Sequence, residues 1–440
     1  MIQPMLLYYK QLDYANFMCV AGISPYHRRH AKRKGTRMVS TRQMTPQITW
    51  VGGNDRRLAL FENMFPLPHG IAYNSYLILD DKVALIDTVD TSITRQFLEN
   101  IEHTLAGRAI DYLVINHMEP DHCANIEELC RRYPRMKLIG NKKTFQLIRQ
   151  FYNFDIETLT VEVREMDTLD LGRHKLRFYF APMVHWPEVM FTYEETEKIL
   201  FTADAFGAFG ALSGNLFHDE LDDHSVFQEE SRRYYANIVG KYGPQVQAVI
   251  KKLCGVEINM LCPLHGPVWR RDTEDFLADY DLWSRYEPEK KGVLLAYASM
   301  YGNTENAVGI LANRLGDRGV KDLKVYDVSK THASYIIADA FQYSHMVLAS
   351  PTYNNGLYLG MESLIRDMAA LNLQNRKVTL IGNGSWAPVA HTVMAKLLGE
   401  MKNMELLAQP FVIRSSLKAE QMAELLKLAD TVADSVLDRA

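Results

Sequence analysis

At roughly 100 to 200 residues per domain, a chain of 440 residues predicts two or three domains and excludes a single small module. Hydrophobic residues at 47% and charged residues at 23% allow a large buried core and exclude a disordered chain. The 49 basic and 53 acidic residues give a net charge of -4, which offers no case for nucleic-acid binding, and no apolar run approaches the roughly 18 residues of a membrane span.

Residues 1–44 hold eight Lys or Arg and one acid, Asp13, so their charge opposes that of the rest of the chain. The basic run HRRHAKRKGTR fits a misassigned start with Met38 or Met44 as initiator, a flexible arm, or an organelle transit peptide, the first being favoured. Five cysteines without a C-x-x-C pair argue against a disulfide framework and for a reducing, cytoplasmic setting. From residue 45 to 285, the apolar runs SYLILDD, KVALIDTV, DYLVINH and KLIG predict strands separated by helices. TLDLGRHKLRFYFAP and MFTYEETEKILFTAD predict hairpins, and VEINMLCPLHGP a further strand. The charged RYEPEKKG marks a linker at residues 286–291. Residues 292–440 alternate strand and helix, with strands in GVLLAYAS, LKVYDVS, MVLASPTY, VTLIGNGS and ELLAQPFVIRS. That alternation predicts a doubly wound parallel sheet with ligand at the strands' carboxyl ends.

DYLVINH runs into His117-Met-Glu119-Pro-Asp121-His122, four candidate ligands within six residues. Alternate residues 117, 119 and 121 are expected to point to one side, with Asp121 and His122 diverging toward a second metal. A capped polar loop explains any one of these residues, because Pro120 suits a helix start. The cluster as a whole is not so explained, because His185, Asp204 and His265 also follow apolar runs, where a scaffold sets ligands on loops. Four histidines and three carboxylates predict a two-metal site, with Asp204 suited to bridge. Tyr234 and Tyr235 in SRRYYANI are outer candidates for a hydrogen bond to a bound oxygen species, or else helix packing.

In the second domain, Ser299, Met300, Tyr301, Gly302, Asn303 and Thr304 follow a strand and enter a helix, an uncharged nest for a monophosphate such as that of FMN. Two further strand ends carry Pro351, Thr352, Tyr353, Asn354, Asn355 and Gly356, and then Asn383, Gly384, Ser385 and Trp386. Tyr353 and Trp386 offer flat faces to a flavin ring, and the turn amides can bond its pyrimidine edge.

The first constellation resembles the metallo-β-lactamase-like fold, with its H-x-H-x-D-H motif and later His, Asp and His. Here Glu119 replaces the second His, and a hard carboxylate favours iron over zinc. The three loops of the second domain look like flavodoxin. Together, in this order, the two domains resemble the flavodiiron proteins, in the class without a fused rubredoxin or flavin-reductase module. The resemblance implies a metallo-β-lactamase-like αββα domain before a flavodoxin-like domain. It implies two non-haem irons on His117, Glu119, Asp121, His122, His185, Asp204 and His265, although in some members the residue matching His122 turns away. It also implies FMN, a separate electron donor protein (rubredoxin-like or a flavin reductase), reduction of O2 to water or NO to N2O, and a head-to-tail homodimer or a tetramer. The rival expectations are a zinc hydrolase, which leaves the flavodoxin loops idle, and a flavodoxin-type electron carrier, which leaves the metal ligands idle.

Overall fold

Short strands whose alternate residues are apolar on both faces build two facing sheets in the computed structural model, which describes residues 39–221 and 225–439; the expectations for residues 1–38 lie outside the described residues. One sheet orders Arg42–Gln43, Ile48–Trp50, Tyr76–Leu79, Val83–Ile86, Tyr112–Val114, Lys137–Gly140 and Thr160–Glu162. The other orders Thr168–Asp170, Lys175–Phe180, Met190–Glu194, Ile199–Phe201 and Met260–Cys262. Successive side chains leave a strand on opposite faces. Tyr76, Ile78 and Ile86 therefore share a core with Phe178, Met190 and Phe201 between the sheets. Their neighbours Leu77, Leu85, Phe191 and Leu200 join a second core with Phe97, Ile101, Val246 and Val249 of the covering helices Thr94–Leu105 and Gly243–Leu253. The layers are thus helix, sheet, sheet, helix, as expected.

The arm expected to end at residue 44 meets the fold earlier. Arg42–Gln43 pairs antiparallel with Thr49 and Trp50, and the amide of Ser40 donates to Asn100 Oδ1 at 2.8 Å. Arg42–Gln43 therefore forms an edge of the first sheet, beside Ile48–Trp50, whose backbone groups would otherwise lack partners there.

The third sheet orders Leu323–Asp327, Lys290–Tyr297, Tyr343–Tyr353, Arg376–Asn383 and Met404–Leu406, all parallel, the second-first-third-fourth-fifth order of a flavodoxin-like sheet. Helices Asn303–Asp317 and Met422–Val436 bury Val308, Leu311, Leu425 and Val432 on one face. Helices Ala333–Gln342 and Leu359–Ala370 bury Ile336, Ile337, Met361 and Leu364 on the other.

The fifth strand, expected as one run through ELLAQPFVIRS, is broken. Leu406 pairs Val378 and Phe411 pairs Ile381, so the chain takes five steps where its neighbour takes three. Pro410, which has no N–H to give to a ladder, lies in the extra length. The charged linker is anchored at Glu289, which accepts from Trp283 Nε1 at 2.6 Å, Gln342 Nε2 at 3.1 Å and the guanidinium of Arg232. Among the described residues, no helix is long and apolar enough to cross a membrane.

Candidate metal centre and ligand cavity

All seven residues expected as metal ligands come together, from loops that leave the strands at one end of the paired sheets. His117 follows Tyr112–Val114, and Glu119 is the cap of the short helix Pro120–Cys123 that carries Asp121 and His122. His185 lies between Lys175–Phe180 and Met190–Glu194, Asp204 follows Ile199–Phe201, and His265 follows Met260–Cys262. Two groups result, each compact enough for one ion: His117, Glu119, His185 and Asp204, and Asp121, His122 and His265.

In the first group, His185 Nε2 is 3.1 Å from both Glu119 Oε2 and Asp204 Oδ2, and His117 Nε2 is 3.2 Å and 3.3 Å from the same atoms. In the second, His122 Nε2 is 3.0 Å from His265 Nε2 and 3.0 Å from Asp204 Oδ1. Asp121 Oδ2 is 3.2 Å from His265 Nε2. Each oxygen of Asp204 therefore faces a different group, the arrangement a bridge requires. His122 is turned inward.

The expectation divides: Asp121 and His122 diverge together toward a second group, as expected, whereas Asp121 does not lie on the side of residues 117 and 119, because Pro120 starts a helical turn that breaks the alternation of an extended loop.

The donors fit metal ions. Asp121 Oδ1 is buried without a hydrogen-bond partner, a costly state unless a cation satisfies it, and Asp121 Oδ2 and Asp204 Oδ1 face only the ring nitrogens of His122 and His265. Burial works to raise the Asp204 carboxyl, but the charges of His122 and His117 outweigh it and hold the carboxyl well below its usual range.

Several supporting groups had no clear signal in the sequence. Glu188 sits behind His117, with its Oε1 2.8 Å from Nδ1. Asp87, at the end of Val83–Ile86, accepts from the backbone of Asn116 at 2.7 Å and of His117 at 3.2 Å, and its place at a strand's end was the one available clue. Partial desolvation and then the facing Glu119 carboxylate push the carboxyl of Glu62, a residue exposed at the surface, above its usual range.

The two outer tyrosines separate. Tyr234 tilts against His265 at 5.5 Å between ring centroids, and its hydroxyl is buried without a partner. Tyr235 packs against Tyr280 and Trp283 and is a core residue.

At the carboxyl ends of the third sheet lies a cavity of about 560 Å³. Ser299, Met300, Tyr301, Asn303 and Thr304 line it from the first loop, residues 351–355 from the second, and Asn383, Gly384, Ser385 and Trp386 from the third. Gly302 and Gly356 do not line it. Gly302 instead caps the helix Asn303–Asp317 at φ +84°, a left-handed conformation that glycine adopts without strain, and Gly356 closes a hairpin with Tyr353. Ser415, just past the strand Phe411–Ile413, is an additional wall residue that the broken fifth strand concealed.

The cavity fits a flavin phosphate. No side chain caps the helix that starts beside it, leaving first-turn amides for an anion, and Asn383 Oδ1, buried without a partner, is an acceptor suited to a flavin N–H or ribityl hydroxyl instead of the phosphate. Thr304 is buried, and its hydroxyl accepts from Asn383 Nδ2 at 3.3 Å. Thr304→Val should weaken FMN binding by about 1–3 kcal/mol if the hydroxyl also donates to phosphate. A flavin fluorescence titration that returns the unmodified dissociation constant would limit Thr304 to helix capping.

Comparison with known proteins places these features in context. A family model described as ODP family beta lactamase matches residues 71–266. The anaerobic nitric oxide reductase flavorubredoxin of Aeromonas hydrophila is 33% identical over 345 residues, covering 77% of this chain and 69% of that protein. The flavorubredoxin of Pectobacterium atrosepticum is 32% identical over the same length, covering 77% and 67%. Among solved structures, the rubredoxin oxygen:oxidoreductase of Desulfovibrio gigas superposes with a TM-score of 0.84 at 27% identity, covering 91% of this chain and 99% of that one. The flavodiiron protein of Giardia intestinalis superposes at 0.81 with 24% identity, covering 91% and 99%, a likeness of fold.

Proposed function

The chain belongs to the flavodiiron protein family, and on that premise we propose that it is an oxidoreductase that takes electrons from a donor protein and reduces O2 to water, NO to N2O, or both. One observation carries the reading: two donor groups that share Asp204 stand in the same chain as a cavity at the carboxyl ends of a flavodoxin-like sheet. Residues 45–285 are the metal domain and 292–440 the flavin domain, joined by 286–291.

When bound, FMN in the cavity supplies an electron store filled singly or in pairs, and two irons supply a centre that holds and reduces the gas. His117, Glu119 and His185 would hold one metal and Asp121, His122 and His265 the other, with Asp204 presenting one oxygen to each group. Glu119 adds negative charge and a hard oxygen donor, which favours iron over zinc at that position. Phe61 and Tyr73 pack on the His265 ring, at 5.3 and 5.6 Å between centroids, and keep water from that side. Burial, then the neighbouring Asp204 carboxylate, hold the Tyr234 hydroxyl well above its usual range. That hydroxyl keeps its proton at neutral pH and stands as a hydrogen-bond donor beside the centre.

Around the cavity, Tyr301 and Trp386 are 89% and 90% exposed. Flat apolar groups so placed suit a covering surface, and a second copy of the chain, head to tail, supplies one that sets flavin against metal. Homodimer and tetramer both meet that requirement. The donor is rubredoxin-like or a flavin reductase, and the setting is cytoplasmic.

The test is direct. Purified protein should be yellow, carry about two irons per chain, and consume O2 or NO when fed by one reduced donor. Zinc without flavin would instead make it a hydrolase, and flavin without metal a carrier.

A further inference from the structure

The imidazole of His117 differs from those of His122 and His265 in what stands behind it. His117 Nδ1 lies 2.8 Å from Glu188 Oε1, and the amide of Met118 donates to the same oxygen at 2.9 Å. Glu188 is fully buried, its main-chain carbonyl accepts from Asn141 Nδ2 at 2.6 Å, and its Oε2 has no partner, so its negative charge is concentrated on His117. His265 Nδ1 meets only the neutral carbonyl of Ala72, at 2.8 Å, and His122 Nδ1 has no partner.

We infer that Glu188 makes the two metal positions unequal: the position framed by His117, Glu119, His185 and Asp204 binds its metal more tightly and fills first. Glu188 is a positioning residue that acts through His117. By accepting the Nδ1 proton it fixes the tautomer that leaves Nε2 bare toward the metal, and its charge makes that nitrogen the better donor. The same position also has Glu119 and Asp204 Oδ2 within reach of His185 Nε2, so three carboxylates bear on it. The other position has Asp121 and the second oxygen of Asp204, and no carboxylate hydrogen-bonds to Nδ1 of either histidine. The inference rests on the two-metal reading proposed above.

The test uses the full chain, stripped of metal by a chelator with its flavin retained, and titrated with Co(II) by calorimetry. Unmodified protein should take up metal in two steps, the first tighter. Glu188→Gln keeps an acceptor for Nδ1 but removes the charge, and should weaken the first step on the order of 10- to 100-fold while leaving the second unchanged. Equal weakening of both steps would mark a structural role and overturn the inference, as would no weakening of either.

A second measurement needs no variant. One equivalent of 57Fe added to the stripped, unmodified protein should give one Mössbauer doublet, and two doublets of equal strength would also overturn the inference. Failure to take up a pair of metals would sink the two-metal reading itself, an outcome distinct from two equal steps.

Discussion

Asp204→Ala is expected to empty both metal positions and lower gas reduction at least about 100-fold, more than follows from losing a supporting group alone. Oδ2 of Asp204 is 3.1 Å from His185 Nε2 and Oδ1 is 3.0 Å from His122 Nε2, so one side chain serves both donor groups. Without it, each group keeps one carboxylate, Glu119 or Asp121, and the bridge between the metals is gone. Glu119→Ala is the informative contrast, because the Glu119 carboxylate meets candidate ligands of one group, His117 and His185, and its loss should empty a single position. Iron per chain, measured beside flavin absorbance, separates the cases: near zero for Asp204→Ala, about one for Glu119→Ala, and full flavin in both. Retention of iron and turnover by Asp204→Ala would remove Asp204 from the centre.

The candidate ligands that the structure brings together could be picked out because they follow apolar runs, His117 to His122 as a cluster and His185, Asp204 and His265 singly, and loops at strand ends are where a buried scaffold can expose such groups. The grouping of those ligands was less legible. Whether Asp121 sides with Glu119 or with His122 depends on whether Pro120 continues the extended chain or starts a turn, and both are ordinary for X-Pro.

Glu188 was invisible for a different reason. It lies 71 positions from His117 along the chain, and only the pairing of Lys175–Phe180 with Met190–Glu194 brings its loop over the histidine. The flavin loops could be read from their Gly, Asn and hydroxyl content, but Ser415 was missed because the expected fifth strand was drawn as continuous. Its two pieces, Met404–Leu406 and Phe411–Ile413, set Ser415 at the cavity. Within the charged linker, Glu289 meets Arg232 and Gln342, 57 and 53 positions away, and partners that distant leave no local pattern.

Arg376, in the unremarkable run QNRKV, carries the largest expected effect on stability. It is 1% exposed and donates to five main-chain carbonyls: Ala340 at 2.7 Å, Phe341 at 2.8 Å, Tyr286 at 2.7 Å, Gln374 at 2.8 Å and Asn375 at 3.1 Å. Those carbonyls belong to the end of the helix Ala333–Gln342, to the linker and to the turn before the strand Arg376–Asn383, so one guanidinium fastens three segments. Burial opposes its charge and lowers its pKa to about 9, still above neutral, so the fork stays protonated and keeps these bonds. Arg376→Met fills similar space but donates nothing. Each buried carbonyl left without a partner costs about 1–3 kcal/mol, and with some relief from backbone adjustment the loss should be about 3–6 kcal/mol. Lysine should not rescue it, because an ammonium on a flexible stem cannot reach carbonyls arranged for a planar fork. The strand that Arg376 begins delivers Asn383 to the flavin cavity at its other end, so urea unfolding of Arg376→Met, followed by flavin release, should show the flavin leaving at lower denaturant than in the unmodified protein. A midpoint shifted by less than about 1 kcal/mol, or full rescue by Arg376→Lys, would mean that these carbonyls find other partners and that the fork is not what joins the linker to the flavin-binding sheet.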